Sequence, residues 1–174
     1  MLWTDLQDVK SIVRSAGPDF EEFNLTDCAV DILLAASKRA MDRGPGEITP
    51  EHVLFGMATP VERRMVRVVL KGLGVDLPRN MAQISAILPA RAKGDTVARH
   101  SFSPQTVRLL SEAKAESDEL GHNWIGSEHL LLGLLRCGPC AAGEFLRETG
   151  VTPERFRREL VTVLTRSRLS SSQD

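Results

Sequence analysis

The sequence predicts an all-α protein built from two pseudo-symmetric four-helix repeats, with an extra helix ahead of them. Three observations predict it: the chain aligns with itself over two long stretches, its apolar residues recur at helical spacing, and no segment carries a convincing run of strand alternation.

The alignment sets Leu25–Met57 on Phe102–Leu134 at an offset of 77. Thr26 falls on Ser103, Gly44 on Gly121, Glu51-His52 on Glu128-His129 and Gly56 on Gly133. After a one-residue adjustment Leu70 falls on Leu146 and Gly74-Val75 on Gly150-Val151, an offset of 76. The expected units are residues 24–88 and 101–164. A polar linker, 89–100, joins them, and a polar tail, 165–174, is expected to fray from Ser167.

Within each unit four short helices are expected. The first opens at an N-cap hydroxyl, Thr26 or Ser103, with Pro104 suited to the first helical position, and stops at Gly44 or Gly121. Ala29, Ile32, Leu33, Ala36 and Ala40 form its apolar stripe, matched by Val107, Leu110 and Ala113. The second opens at Thr49-Pro50-Glu51 or Ser127-Glu128, with Thr49 and Ser127 as caps. It is apolar nearly all round (Val53, Leu54, Met57; Leu130, Leu131, Leu134, Leu135), which predicts a central, buried position. The third carries Met65, Val66, Val69 and Leu70, or Ala141, Ala142, Phe145 and Leu146, and ends at Gly74 or Gly150. The fourth carries Met81, Ile84, Ile87 and Leu88, or Phe156, Leu160, Val163 and Leu164. Residues 1–23 lie outside the repeat. A Thr4/Gln7 capping box and a stripe of Leu2, Leu6, Val9 and Val13 predict an extra helix docked on the core, with a partner-binding arm as the alternative.

Composition narrows the function. A 174-residue chain with 42% hydrophobic and 26% charged residues describes a globular protein. A net charge of −1 favours neither nucleic acid nor an anionic membrane, and Arg155, Arg157 and Arg158 interleaved with Glu154 and Glu159 look like a solvated face. Three cysteines, Cys28, Cys137 and Cys140, are too few for a secreted disulfide scaffold and suit a reducing, cytoplasmic setting. The N-terminus does not read as a secretory signal.

Two constellations invite a catalytic reading. Cys137-Gly138-Pro139-Cys140 spells CGPC, a spacing that can form a strained disulfide, and a helix N-terminus would lower a thiol pKa. A thioredoxin motif needs a strand before it, whereas an apolar helix precedes this one, so an incidental, partly exposed interhelical loop is expected; a thiol oxidoreductase acting through Cys137 and Cys140 is the alternative. Two loop cysteines supply only half a tetrahedral metal shell. His52 and His129 follow Glu in both units, the reverse of the H-E-x-x-H order, and are expected to be buried, hydrogen-bonded structural residues; His100 and His122 are expected in loops. No metal or cofactor is expected. The phosphate loop G-x-x-x-x-G-K-S/T is absent, which argues against an ATP-using enzyme.

The segment Gly121–Leu135, GHNWIGSEHLLLGLL, closely resembles the signature of the Clp N-terminal domain repeat of Clp-type AAA+ unfoldases. Phe102-Ser103-Pro104 resembles that repeat's opening, and Ala141-Ala142, Phe145-Leu146 and Gly150-Val151 resemble its A-A-x-x-L-x-x-x-G-V segment. The resemblance covers about 140 residues. The first unit departs more, with GPGEITPEH in place of GHNWIGSEH and Arg63-Arg64-Met65 where the family has small residues.

The resemblance implies recruitment rather than catalysis: a non-catalytic module that brings substrate proteins, tagged substrates or adaptors to an ATP-dependent Clp unfoldase-protease, in a quality-control role. A decoy that restrains proteolysis is the alternative. It also implies, for branches that read phosphoarginine, ligand-binding residues at Thr26 with Glu51 and at Ser103 with Glu128. The same residues have a structural reading as ordinary helix caps and first-turn acids. Met1 and the polar C-terminal end favour a free-standing protein over an excised domain.

Overall fold

The computed structural model describes residues 11, 13–14, 23–42, 47–59, 65–90 and 101–170. The helices are α1 Asp27–Met41, α2 Pro50–Ala58, α3 Met65–Gly72, α4 Met81–Ala86 (entered through a 3-10 turn at Leu77–Asn80), α5 Pro104–Glu119, α6 Ser127–Arg136, α7 Ala141–Glu148 and α8 Pro153–Ser170. Two isolated parallel bridges are the only β pairing among the described residues. The expected extra N-terminal helix falls mostly outside them; Ser11, Val13 and Arg14 are helical and Val13 is buried. Gly44, His100 and most of the linker also lie outside. No helix among the described residues is long and apolar enough to cross a membrane.

The expected N-caps form at both first helices. Thr26 Oγ1 accepts the Ala29 amide at 3.3 Å, and Ser103 Oγ accepts the Thr106 amide at 3.2 Å. The third helices close alike: Val75 N donates to Leu70 O and Val151 N to Leu146 O, each at 2.8 Å, around Gly74 (φ 80°) and Gly150 (φ 82°). This left-handed turn with a six-to-one hydrogen bond is one that only glycine makes without strain. The fourth helices differ in length. In the first unit it is a short turn and α4; in the second, α8 runs to Ser170, so the tail expected to fray from Ser167 is helical as far as that residue.

The two units do not pack as separate bundles. One core cluster draws on both, from Ile32, Leu33, Leu54 and Met57 to Leu109, Leu131, Leu134 and Phe156. The most extensive contacts join α1 to α2 and α5 to α6. The third helices cross over: α3 lies against α6 and α8, and α7 against α2 as well as α6. Backbone exchange at the helix starts matches this. Thr26 N donates to Ile125 O at 3.0 Å and Ile125 N to Asn24 O at 2.7 Å; Ser103 N donates to Ile48 O at 3.1 Å and Ile48 N to Ser101 O at 2.9 Å. The entry to each first helix is thus paired with the loop before the other unit's second helix.

Close approach of the paired helices requires glycine. A Cβ on Gly133 would overlap the Leu109 carbonyl oxygen and lie 2.8 Å from Ala113 N; one on Gly56 would overlap the Ile32 carbonyl oxygen. Both glycines occupy the same repeat position. On the outer side, Glu116 of α5 is fully buried and is held by Arg136 of α6 (2.8 Å) and Arg157 of α8 (2.5 Å); Arg157 also binds Glu119. Arg157, expected on a solvated face, is therefore the bridge that ties α8 to α5.

The second helices begin on a histidine cap, as expected of structural histidines. Thr49 N donates to His52 Nδ1 at 3.1 Å and Gly126 N to His129 Nδ1 at 2.9 Å. Ser127 departs from expectation: Gly126 is the N-cap, Ser127 is the first helical residue, and its hydroxyl accepts the Val66 amide of α3 at 3.2 Å. His129 is fully buried, and burial together with His122 holds its pKa at about 4.

Two predictions follow from this packing. Gly133→Ala should force α5 and α6 apart and cost about 1–3 kcal/mol, read as a lower urea midpoint with unchanged helical content in circular dichroism. The second concerns acid. Between pH 6.5, the ordinary value, and about 4, the unfolded chain protonates His129 and the folded chain does not. Stability is therefore lost as pH falls through that window, by about 3 kcal/mol from this group. Glu128, whose pKa is raised by burial from 4.5, works in the opposite sense and offsets part of the loss. His129→Gln, which keeps a capping side chain, should flatten the fall in urea midpoint between pH 6.5 and 4.

Candidate ligand-binding sites

Each of the four residues implicated by the resemblance sits at or beside a helix start. Thr26 caps α1 and Ser103 caps α5; Glu51 and Glu128 lie in the first turns of α2 and α6. A helix start offers unpaired N–H groups and positive dipole character, which suits an anion, and a carboxylate nearby suits a guanidinium. No hydrogen bond joins Thr26 to Glu51 or Ser103 to Glu128. The backbone links run between units instead: Thr26 is bonded to Ile125, three residues before Glu128, and Ser103 to Ile48, three residues before Glu51. Ser103 is buried, and its hydroxyl also meets Thr106 Oγ1 at 3.0 Å, which in turn donates to Ile48 O at 2.7 Å.

The two carboxylates are equally exposed, at 9% of the residue, yet they are held differently. Glu51 Oε1 accepts the Ala142 amide at the start of α7, at 3.3 Å. At the equivalent place in the other half, the Val66 amide is taken by Ser127 Oγ, and Glu128 Oε2 accepts from Ser127 at 3.3 Å. Local sequence explains the difference. Pro50 stands where the second unit has Ser127, so no hydroxyl is available and Glu51 takes over the amide. Thr49 stands where the second unit has Gly126; a Cβ on Gly126 would sit 2.6 Å from Glu128 Oε1, so only glycine admits the position Glu128 adopts. Glu128 is therefore free of the adjacent helix, and burial pushes its carboxyl above the usual range.

Around Glu128 the loop adds rings. His122 stacks on Trp124 with centroids 4.8 Å apart and planes at 10°, and its Nδ1 lies 3.0 Å from His129 Nε2. Trp124 is 41% exposed. His122 is a loop residue, as expected. Sequence reasoning missed the roles of Trp124, Gly126 and Ser127; the signal was present in the self-alignment, where Gly126-Ser127 faces Thr49-Pro50.

Ligand atoms of His122, Glu128 and His129 fall within 4.8 Å of one another. The hydrogen-bond pattern opposes a cation there. The Gly126 N–H occupies the Nδ1 lone pair of His129, so the ring proton sits on Nε2 and points at His122 Nδ1. Coordination through Nε2 would require an imidazolate, unlike ordinary metal-binding histidines, which donate from the second nitrogen.

The cysteines depart from the partly exposed loop expected of them. Cys137 is 2% and Cys140 9% exposed, with the two sulfurs 3.9 Å apart between α6 and α7.

Comparison with known proteins places this geometry. The chain matches the Clp repeat (R) N-terminal domain over residues 24–149 and 101–173. It is 32% identical to the chaperone protein ClpC, chloroplastic, of Pisum sativum over 151 residues, which is 85% of this chain and 16% of that protein. The chain thus spans about a sixth of the length of the curated relatives it matches. Among solved structures, the N-domain of ClpV from Vibrio cholerae superimposes with a TM-score of 0.67 at 23% identity, covering 92% of this chain and 89% of that one. A complex of a ClpV N-domain with a VipB peptide gives 0.65 at 23% identity, covering 92% and 91%. With a matched region running through both repeats and the all-helical fold in common, the chain belongs to the Clp repeat (R) N-terminal domain family.

Proposed function

We propose that this protein is a non-catalytic recruitment module that binds protein or peptide ligands for a Clp-type AAA+ unfoldase in the cytoplasm, and that phosphoarginine is among the groups it reads. Support for binding comes from the family and from the ClpV N-domain that was solved with a peptide. The observation that carries the phosphoarginine reading is Glu128, a buried carboxylate that has histidines but no Lys or Arg ion pair beside it among the described residues and holds no amide of a neighbouring helix. A guanidinium would bring this carboxylate a permanent, two-pronged cationic donor, and its phosphoryl group would face N–H donors of a helix start. Trp124, exposed and stacked on His122 in the same loop, offers a ring face for a planar cation. Glu51, Thr26 and Ser103 form the weaker part of the proposal. Glu51 already holds the Ala142 amide, and Ser103 is buried as a cap.

Calorimetric titration with phosphoarginine tests the reading. Saturable binding is expected, with Glu128→Gln weakening it about 10- to 100-fold, the loss of one charge-assisted pair. Glu51→Gln should weaken it less and should lower the urea midpoint, because it disturbs the start of α7. Affinity should rise with pH as Glu128 ionises. Absence of saturable heat, or equal affinity in wild type and Glu128→Gln, would remove phosphoarginine from the account.

A further inference from the structure

We propose that Cys137 and Cys140 form a thiol–disulfide exchange site for small-molecule disulfides, with Cys140 as the attacking sulfur and Cys137 as the resolving one. The reading is independent of ligand recruitment, and it rests on how the fold holds the pair. Cys140 is the N-cap of α7, and its Sγ accepts the Gly143 amide at 3.3 Å. A thiolate at that place is favoured by the amide and by the helix start. The Arg147 guanidinium lies over the same turn: a Cβ on Gly143 would meet Arg147 Nη2 at 3.1 Å and Cys140 Sγ at 3.3 Å. Cys137 sits at the C-terminal end of α6, within reach of both the Leu134 carbonyl (3.2 Å) and the Cys140 sulfur (3.9 Å).

Gly138 at φ 100° makes the tight turn between the two cysteines, and Gln105 Nε2 pins the loop by donating to Pro139 O at 2.5 Å. The sulfurs therefore lie 3.9 Å apart across a fixed turn, and a disulfide would bring them to about 2 Å. The titration of the pair agrees with the assignment. The hydrogen bond from Cys137 lowers the Cys140 thiol, against burial and the Glu51 carboxylate at the same helix start, and the same contact raises Cys137.

The Cys140 thiolate attacks one sulfur of an external disulfide, forms a mixed disulfide and releases one thiolate. With its charge gone, Cys140 no longer holds the Cys137 proton in place. Cys137 gives that proton to the released thiolate, attacks Cys140 Sγ and expels the second thiolate. The two protein sulfurs are oxidised to one disulfide, and the external disulfide is reduced to one thiol and one thiolate, which regains from water the proton that Cys140 lost on ionising.

Intact-mass spectrometry and peptide mapping of the full chain after treatment with glutathione disulfide test this, with Cys28 as the internal control. Wild type should lose two hydrogens through a Cys137–Cys140 disulfide and keep no glutathione on either residue. Cys137→Ser should trap one glutathione on Cys140. Cys140→Ser, which retains an N-cap oxygen, should leave Cys137 reduced. Circular dichroism confirms that the variants fold, and the wild-type result stands without them. Modification of Cys28 alone, with Cys137 and Cys140 still reduced, would overturn the proposal, as would a Cys137→Ser chain that takes no glutathione at Cys140.

Discussion

The amides of Thr26 and Ser103, each bonded to the loop of the opposite unit, are the constraint on which the rest of the molecule depends. A single four-helix unit has an apolar second helix and cannot bury it alone. Exchanging the helix entries brings α2 and α6 together at the centre and lets each unit's third helix pack on the other's second. Glycines at matching positions permit the tight pairing of α1 with α2 and of α5 with α6. Duplication is thus used as interlocking: the two halves complete one core, and the carboxylates Glu51 and Glu128 sit where the halves meet.

Symmetry in the backbone coexists with divergence in the loops. His52 and His129 cap their helices in the same way, yet the residues just ahead of them differ, Thr49-Pro50 against Gly126-Ser127. That change redistributes the hydrogen bonds around the neighbouring helix start. Glu51 becomes a structural acceptor, while Ser127 takes the equivalent task and releases Glu128. One unit's acid has been committed to the fold and the other's left available, so the two candidate sites are chemically unequal although they occupy equivalent positions.

Much of this was legible in the sequence wherever the determinant is local. Caps at Thr26 and Ser103, glycine stops at Gly74 and Gly150, and the apolar stripes follow from spacing alone, and the internal repeat gave the fold class. What sequence spacing does not reveal is pairing between residues far apart in the chain. The Thr26–Ile125 bond, the Arg157–Glu116 bridge and the crossing of third helices all come from tertiary contact. For the candidate site, the four residues come from the family resemblance alone, and the inequality of Glu51 and Glu128 depends on which amide each can reach. The burial of Cys137 and Cys140 was hidden for a similar reason: a loop of four residues reads as exposed until the helices on both sides fix it.

The proposed role is that interlocked helix starts present carboxylates that engage proteins destined for a Clp-type unfoldase. Its most direct test is the degradation rate of an arginine-phosphorylated protein by a purified Clp unfoldase-protease from the same source, followed as this chain is added. The account predicts a dose-dependent change, upward for delivery and downward for sequestration, that Glu128→Gln abolishes. A rate indifferent to the chain, or one changed equally by wild type and Glu128→Gln, would contradict it.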